Sequence, residues 1–71
     1  MKYYIKRVQP IGDGVEVNYL DERGWFIHEI ENALPFHEKE AAEEYLKTEI
    51  LDPKYAKKYL KGCEFSIVET E

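Results

Sequence analysis

Hydrophobic and polar positions alternate with a period of two in four stretches of this chain and with a helical period in two others. From Lys2 to Val8, Tyr3, Ile5 and Arg7 fall on one face and Tyr4, Lys6 and Val8 on the other, in a run rich in strand-favouring residues. This is the first expected strand. Pro10 removes a ladder donor, and Ile11-Gly12-Asp13-Gly14 supplies the glycines and aspartate of a hairpin loop. Val15, Val17 and Tyr19 then alternate with Glu16, Asn18 and Leu20, the pattern of a second strand with one buried face. Asp21-Glu22-Arg23-Gly24 fits a short loop on a type I turn, with Gly24 free to take the left-handed conformation. Trp25 to Ile30 reads as a third strand, and apolar groups on both of its faces suggest a central position. Pro35 pushes Leu34 out of the helical region, so Ala33-Leu34-Pro35-Phe36 reads as an extended crossing.

From Glu38 the period becomes helical. Ala41, Ala42, Tyr45, Leu46, Glu49 and Ile50 recur at three- and four-residue spacings, while Glu40, Glu43, Glu44 and Lys47 face outward, to about Leu51. Asp52-Pro53 combines a favoured N-cap with a proline tolerated at the first helical position, which predicts a second short helix. Its apolar stripe would be Tyr55, Ala56, Tyr59 and Leu60, with Gly62 as the stop. Alternation returns from Cys63 to Glu69 as a last strand, expected beside the first. The expected fold is α+β: an antiparallel sheet of about four strands, in the order β-β-β-α-α-β, with two helices packed on one face.

Seventy-one residues allow a single domain, 1–71, because so short a chain cannot build two cores. A hydrophobic fraction of 44% with ten aromatic residues argues against disorder. The one cysteine, Cys63, excludes an internal disulfide and a cysteine-based zinc staple, which fits a reducing, cytoplasmic setting. No apolar run reaches the roughly 20 residues of a membrane span, and Met1 to Arg7 lacks the apolar core of a signal peptide.

Candidate chemistry is sparse. Cys63, His28 and His37 are the side chains suited to nucleophilic catalysis, but nothing in the spacing brings either histidine to the thiol. His37-Glu38-Lys39-Glu40 lacks the two-histidine helical spacing of a zinc site, and Gly12-Asp13-Gly14 precedes a strand instead of the helix that a phosphate cradle needs. The expectation is a non-enzymatic protein with no metal and no cofactor.

Charge says more. The net charge of −5 opposes whole-surface attraction to nucleic acid, yet it is unevenly placed. Residues 13–52 hold twelve acidic side chains against three basic ones, whereas residues 1–12 carry +3 and residues 53–62 carry +4. A dense carboxylate face can imitate a phosphate backbone and occupy a basic groove on another protein. Glu40, Glu43, Glu44 and Glu49 are the candidate partner-binding residues, with Asp21 and Glu22 as a second acidic contact; the alternative is an ordinary solvated helix face. A rival reading is a small nucleic-acid-binding or regulatory protein using Lys54, Lys57, Lys58 and Lys61, although Tyr55 and Tyr59 among them fall on the apolar stripe. A third is a homo-oligomer formed through an open sheet edge or surplus aromatics such as Tyr4 and Trp25.

The run Ala33 to Leu46, preceded by Tyr19-Leu20 and Trp25 and followed by Phe65-Ser66-Ile67-Val68-Glu69, resembles small accessory proteins of bacteriophages and mobile elements. In these, strands lead through an Ala-x-x-Phe crossing into a helix with a Glu-Ala-Ala-Glu start, and a closing strand ends the fold. The resemblance implies inhibition of a host enzyme or defence complex by direct binding, as in anti-CRISPR proteins, in the host cytoplasm. The opening Lys2-Tyr3-Tyr4 strand and the meander after it also resemble HicB-type antitoxins. In place of the Pro-Asp-Leu-Pro-Gly-Cys-like loop of that family, this chain has Asp21-Glu22-Arg23-Gly24.

Overall fold

The first strand, β1 (Lys2–Ile11), is long because its two flanks are paired over different stretches. On one side Lys6 to Ile11 pair with β2 (Gly14–Leu20), and on the other Lys2 to Val8 pair with β4 (Glu64–Thr70), both antiparallel. The computed structural model describes residues 1–50 and 62–71, and its sheet runs β3-β2-β1-β4, with β3 covering Phe26–Ile27. The last strand therefore lies beside the first.

Pro10 sits inside β1 opposite Val15 without breaking the ladder. Tyr3 exchanges both backbone hydrogen bonds with Phe36, at 2.8 Å each, so odd-numbered residues of β1 bond away from β4 and even-numbered ones toward it. The donor that Pro10 lacks would point to the β4 side, where the last pair is Val8 with Glu64. Nothing is lost there. At the hairpin, Gly12 alone of the two turn residues has a positive φ, 56°, as a type II′ turn requires.

The third strand differs from expectation. It spans two residues instead of six and lies at the sheet edge, not its centre. Local propensity is overridden: a 3₁₀ turn at Ile30–Asn32 lifts the chain away, and on the opposite flank of β2 the Leu34 amide donates to the Leu20 carbonyl at 2.8 Å. The crossing then takes the lateral place that β2 has vacated, with Phe36 paired to Tyr3.

The described residues hold one helix where two were expected. It runs for twelve residues, α1 (Lys39–Tyr45) continuing into a π turn (Leu46–Ile50), between β3 and β4. The sequence that suggested a second helix, from residue 53, lies outside the described residues, so the expected pair on one sheet face is corrected to this single helix. The widening has a local accompaniment: the Thr48 hydroxyl donates to the Glu44 carbonyl at 2.8 Å, a back-bond that competes with regular helical pairing. With i→i+5 spacing, Ile50 follows one turn beyond Tyr45 and stays on the sheet side.

Ile5, Leu20, Ala42 and Ile50 form the buried centre, and Tyr3, Phe36, Tyr45, Phe65 and Ile67 close around it. Ala42, fully buried, lets the helix approach the sheet. The rings of Phe36 and Tyr45 meet at 5.6 Å, tying crossing to helix. On β2 the more apolar set is the less buried one. Asn18 and Leu20 face the core, whereas Val15 is 69% exposed. Parity decides this, since Ile5 and Leu20 must share the helix-covered face.

Ile5→Ala is expected to cost about 2–5 kcal/mol by urea denaturation, because it empties the centre of the packed cluster. Val15→Ala should change stability by no more than about 0.5 kcal/mol.

Candidate functional site

On α1, whose inner face is fixed by Ala42 and Tyr45, the outward positions carry Glu40, Glu43 and Glu44, all exposed. With Lys47 and Thr48 they border a shallow open hollow of about 380 Å³. Lys39 lies 4.0 Å from Glu43 in an i,i+4 pair, and Lys47 is the second described cation on this face. Three of the sequence-selected carboxylates thus share one surface. Glu49 is exposed on the same helix but does not line the hollow. Glu40 also lies near the Tyr3 hydroxyl, which donates to Glu69 at 3.3 Å. Burial first, then the charges of Glu69 and Glu40, push that phenol above its ordinary pKa.

Asp21 and Glu22 part company. Asp21 is buried and its carboxylate organises the loop: Oδ1 accepts from the Arg23 and Trp25 amides at 2.9 and 3.0 Å, and Oδ2 from the Arg23 guanidinium at 3.0 and 2.8 Å. The guanidinium in turn lies 4.5 Å from the centre of the Trp25 ring, which explains how a 63% exposed tryptophan is held. Asp21 is therefore occupied internally, while Glu22 remains exposed beside a second hollow of about 390 Å³. The lysines Lys54, Lys57, Lys58 and Lys61 lie outside the described residues.

A polar row on the core-facing side of the sheet involves, of the residues singled out in the sequence, only His28. Arg7 donates to Asn18 at 3.0 Å, Asn18 donates to Glu16 at 3.0 Å, and His28 Nε2 lies 3.1 Å from the same Glu16 oxygen. Arg7 also stacks over Phe26 at 4.4 Å, and its buried Nε has no partner among the described residues. The signal for this row was the pairing parity: once Ile5 and Leu20 face the helix, Arg7, Asn18 and Glu16 must continue along the same face. The Asn18 amide holds the Glu16 carboxyl below its ordinary range against the opposing effect of burial, with His28 adding to the lowering. The row braces the hairpin end of the sheet where the helix does not cover it.

The Cys63 thiol reaches Gln9 Oε1 at 4.0 Å, and among the described residues no hydrogen bond joins it to His28 or His37. No group of three or more metal-ligating side chains occurs among the described residues, and no described helix is long and apolar enough to cross a membrane. No protein-family model, curated protein or solved structure matches this chain.

Asp21 sits in a hydrogen-bond cage whose bonds to Arg23 and to the Trp25 and Arg23 amides outweigh burial, so its carboxyl is lowered from its ordinary pKa. A carboxyl that binds protons less readily when folded stabilises the fold above the unfolded-state pKa and loses that contribution as pH falls through the lowered value. Asp21→Asn should therefore lower the urea midpoint at pH 7 and flatten its decline below the usual carboxylate range. An unchanged acid limb would contradict the cage.

Proposed function

We propose that this protein is a non-enzymatic inhibitor that docks the carboxylate face of α1 into a basic, nucleic-acid-binding groove of a host or defence protein. The observation that carries the reading is the grouping of Glu40, Glu43 and Glu44 around one open hollow, with Lys39 and Lys47 as the described cations beside them. Three exposed carboxylates on adjacent turns offer negative charges at spacings that side chains can adjust, which suits a groove built for phosphates. The uneven charge supports this, since residues 13–52 carry a balance of −9 on a chain whose sum is −5. So does the resemblance of the crossing and helix start to small phage and mobile-element proteins, which suggests that source and a host-cytoplasmic site of action. The polar row is engaged with itself and exposes chiefly His28 at its outer end, so it competes poorly as a contact surface.

Glu40→Lys/Glu43→Lys/Glu44→Lys tests the reading by affinity capture from the host. Because all three residues are exposed, the circular-dichroism melt should hardly move, each change being worth about 0.5 kcal/mol or less. The wild type should retain basic nucleic-acid-handling proteins, less so as salt rises, and the variant should lose them. Undiminished capture by the variant would refute the proposal.

A further inference from the structure

The two edges of the sheet are unlike. β3 spans only two residues before the 3₁₀ turn, too short to template another strand. β4 spans seven residues with continuous register to β1, and it contains no proline, glycine, lysine or bulge. Of the usual devices against pairing it carries charge alone, at Glu64 and Glu69.

Alternation fixes what it offers. Because Tyr3 bonds to Phe36, the Tyr3–Glu69 pair is a non-hydrogen-bonded one, and Lys2, Tyr4, Lys6 and Val8 are the residues that bond to β4. Glu64, Ser66, Val68 and Thr70 consequently direct their backbone groups at β1. The amides and carbonyls of Phe65, Ile67 and Glu69 point outward, and none has a backbone partner among the described residues.

We infer that β4 pairs antiparallel with β4 of a second copy about a two-fold axis at Ile67, closing two four-stranded sheets into one. In this register Ile67 faces its own copy, Phe65 faces Glu69, and every outward amide and carbonyl of the three residues gains a partner. Sliding by two residues in either direction leaves one of the three paired beyond the strand. No carboxylate opposes another, because Glu64 falls opposite Thr70 and Glu69 opposite Phe65. Lys2, which lies across from Thr70 within one copy, shares a cross-strand row with Glu64 of the other. The charges of β1 and β4 are thus complementary between copies. Closure consumes both β4 edges; on the far side of each sheet β3 covers only Tyr19 and Leu20 of β2, and the flank of residues 14–18 has no strand partner among the described residues.

This proposal stands apart from the acidic-face reading, and salt separates them. Two copies of charge −5 repel at long range, so the dimer should tighten as salt rises, whereas docking on a basic groove should weaken. The experiment is multi-angle light scattering at graded protein and salt concentration, joined to a cross-link. In a Cys63→Ser background, Ser66→Cys and Val68→Cys proteins are oxidised together and separately. Ser66 and Val68 of opposite copies form a non-hydrogen-bonded pair about 4.5 Å apart at Cα, within disulfide reach. The mixture should yield the mixed disulfide, and each protein alone should yield little. Glu69→Pro removes one outward donor per copy and leaves the β1 ladder whole; it should weaken the dimer about tenfold or more. A monomer at all concentrations, or a dimer that neither cross-links through 66 and 68 nor responds to Glu69→Pro, overturns the proposal.

Discussion

Everything in this structure hangs on the two-sided hydrogen bonding of β1. Its even-numbered residues hold β4 and its odd-numbered ones hold β2 and, at Tyr3, the crossing at Phe36. Four parts of the chain that are far apart in sequence therefore meet on one strand. Ile5 lies at the middle of that strand, fully buried, with Leu20, Ala42 and Ile67 around it. Side-chain packing and backbone pairing are satisfied by the same ten residues, which is how a chain this short closes a core. The cost is that few apolar residues are left over. Function then falls to groups that the fold does not need.

Much of the architecture was legible because it is local. Glycines at 12, 14 and 24 marked both tight turns, and period-two alternation located β1, β2 and β4. The switch to helical spacing located α1, whose first residue, Lys39, follows the expected start at Glu38 by one. What was not legible is nonlocal. Trp25 to Ile30 carries strand-forming residues throughout, yet the strand stops after Ile27 and a 3₁₀ turn follows at Ile30–Asn32. Nor does hydropathy reveal that Asn18 faces inward while Val15 faces out, because the choice belongs to the partner strand's register. The second helix expected from Asp52-Pro53 falls outside the described residues, which hold the single helix from Lys39 to Ile50.

The candidate site divides along the same line. The clustering of Glu40, Glu43 and Glu44 follows from helical spacing alone and needs no tertiary knowledge. Asp21 has the same side chain chemistry but a different fate, since its carboxylate is closed within its own loop by Arg23 and Trp25. Charge counted along a sequence does not distinguish a displayed carboxylate from one enlisted in a turn. Among the described residues, the outward face of α1 and the outer edge of β4 are the surfaces on which the two proposals rest. The two proposed contacts answer to salt with opposite sign, so neither would imitate the other in a salt titration.

Native-state hydrogen exchange tests the central role of β1 most directly. The amides of Tyr4, Lys6 and Val8 face β4, and those of Arg7 and Gln9 face β2. If β1 unites the fold, both sets exchange only through global unfolding and report one opening free energy, equal to that from urea denaturation. A lower opening free energy for Tyr4, Lys6 and Val8 alone would show that β4 leaves while the hairpin of β1 and β2 persists, and would contradict the account.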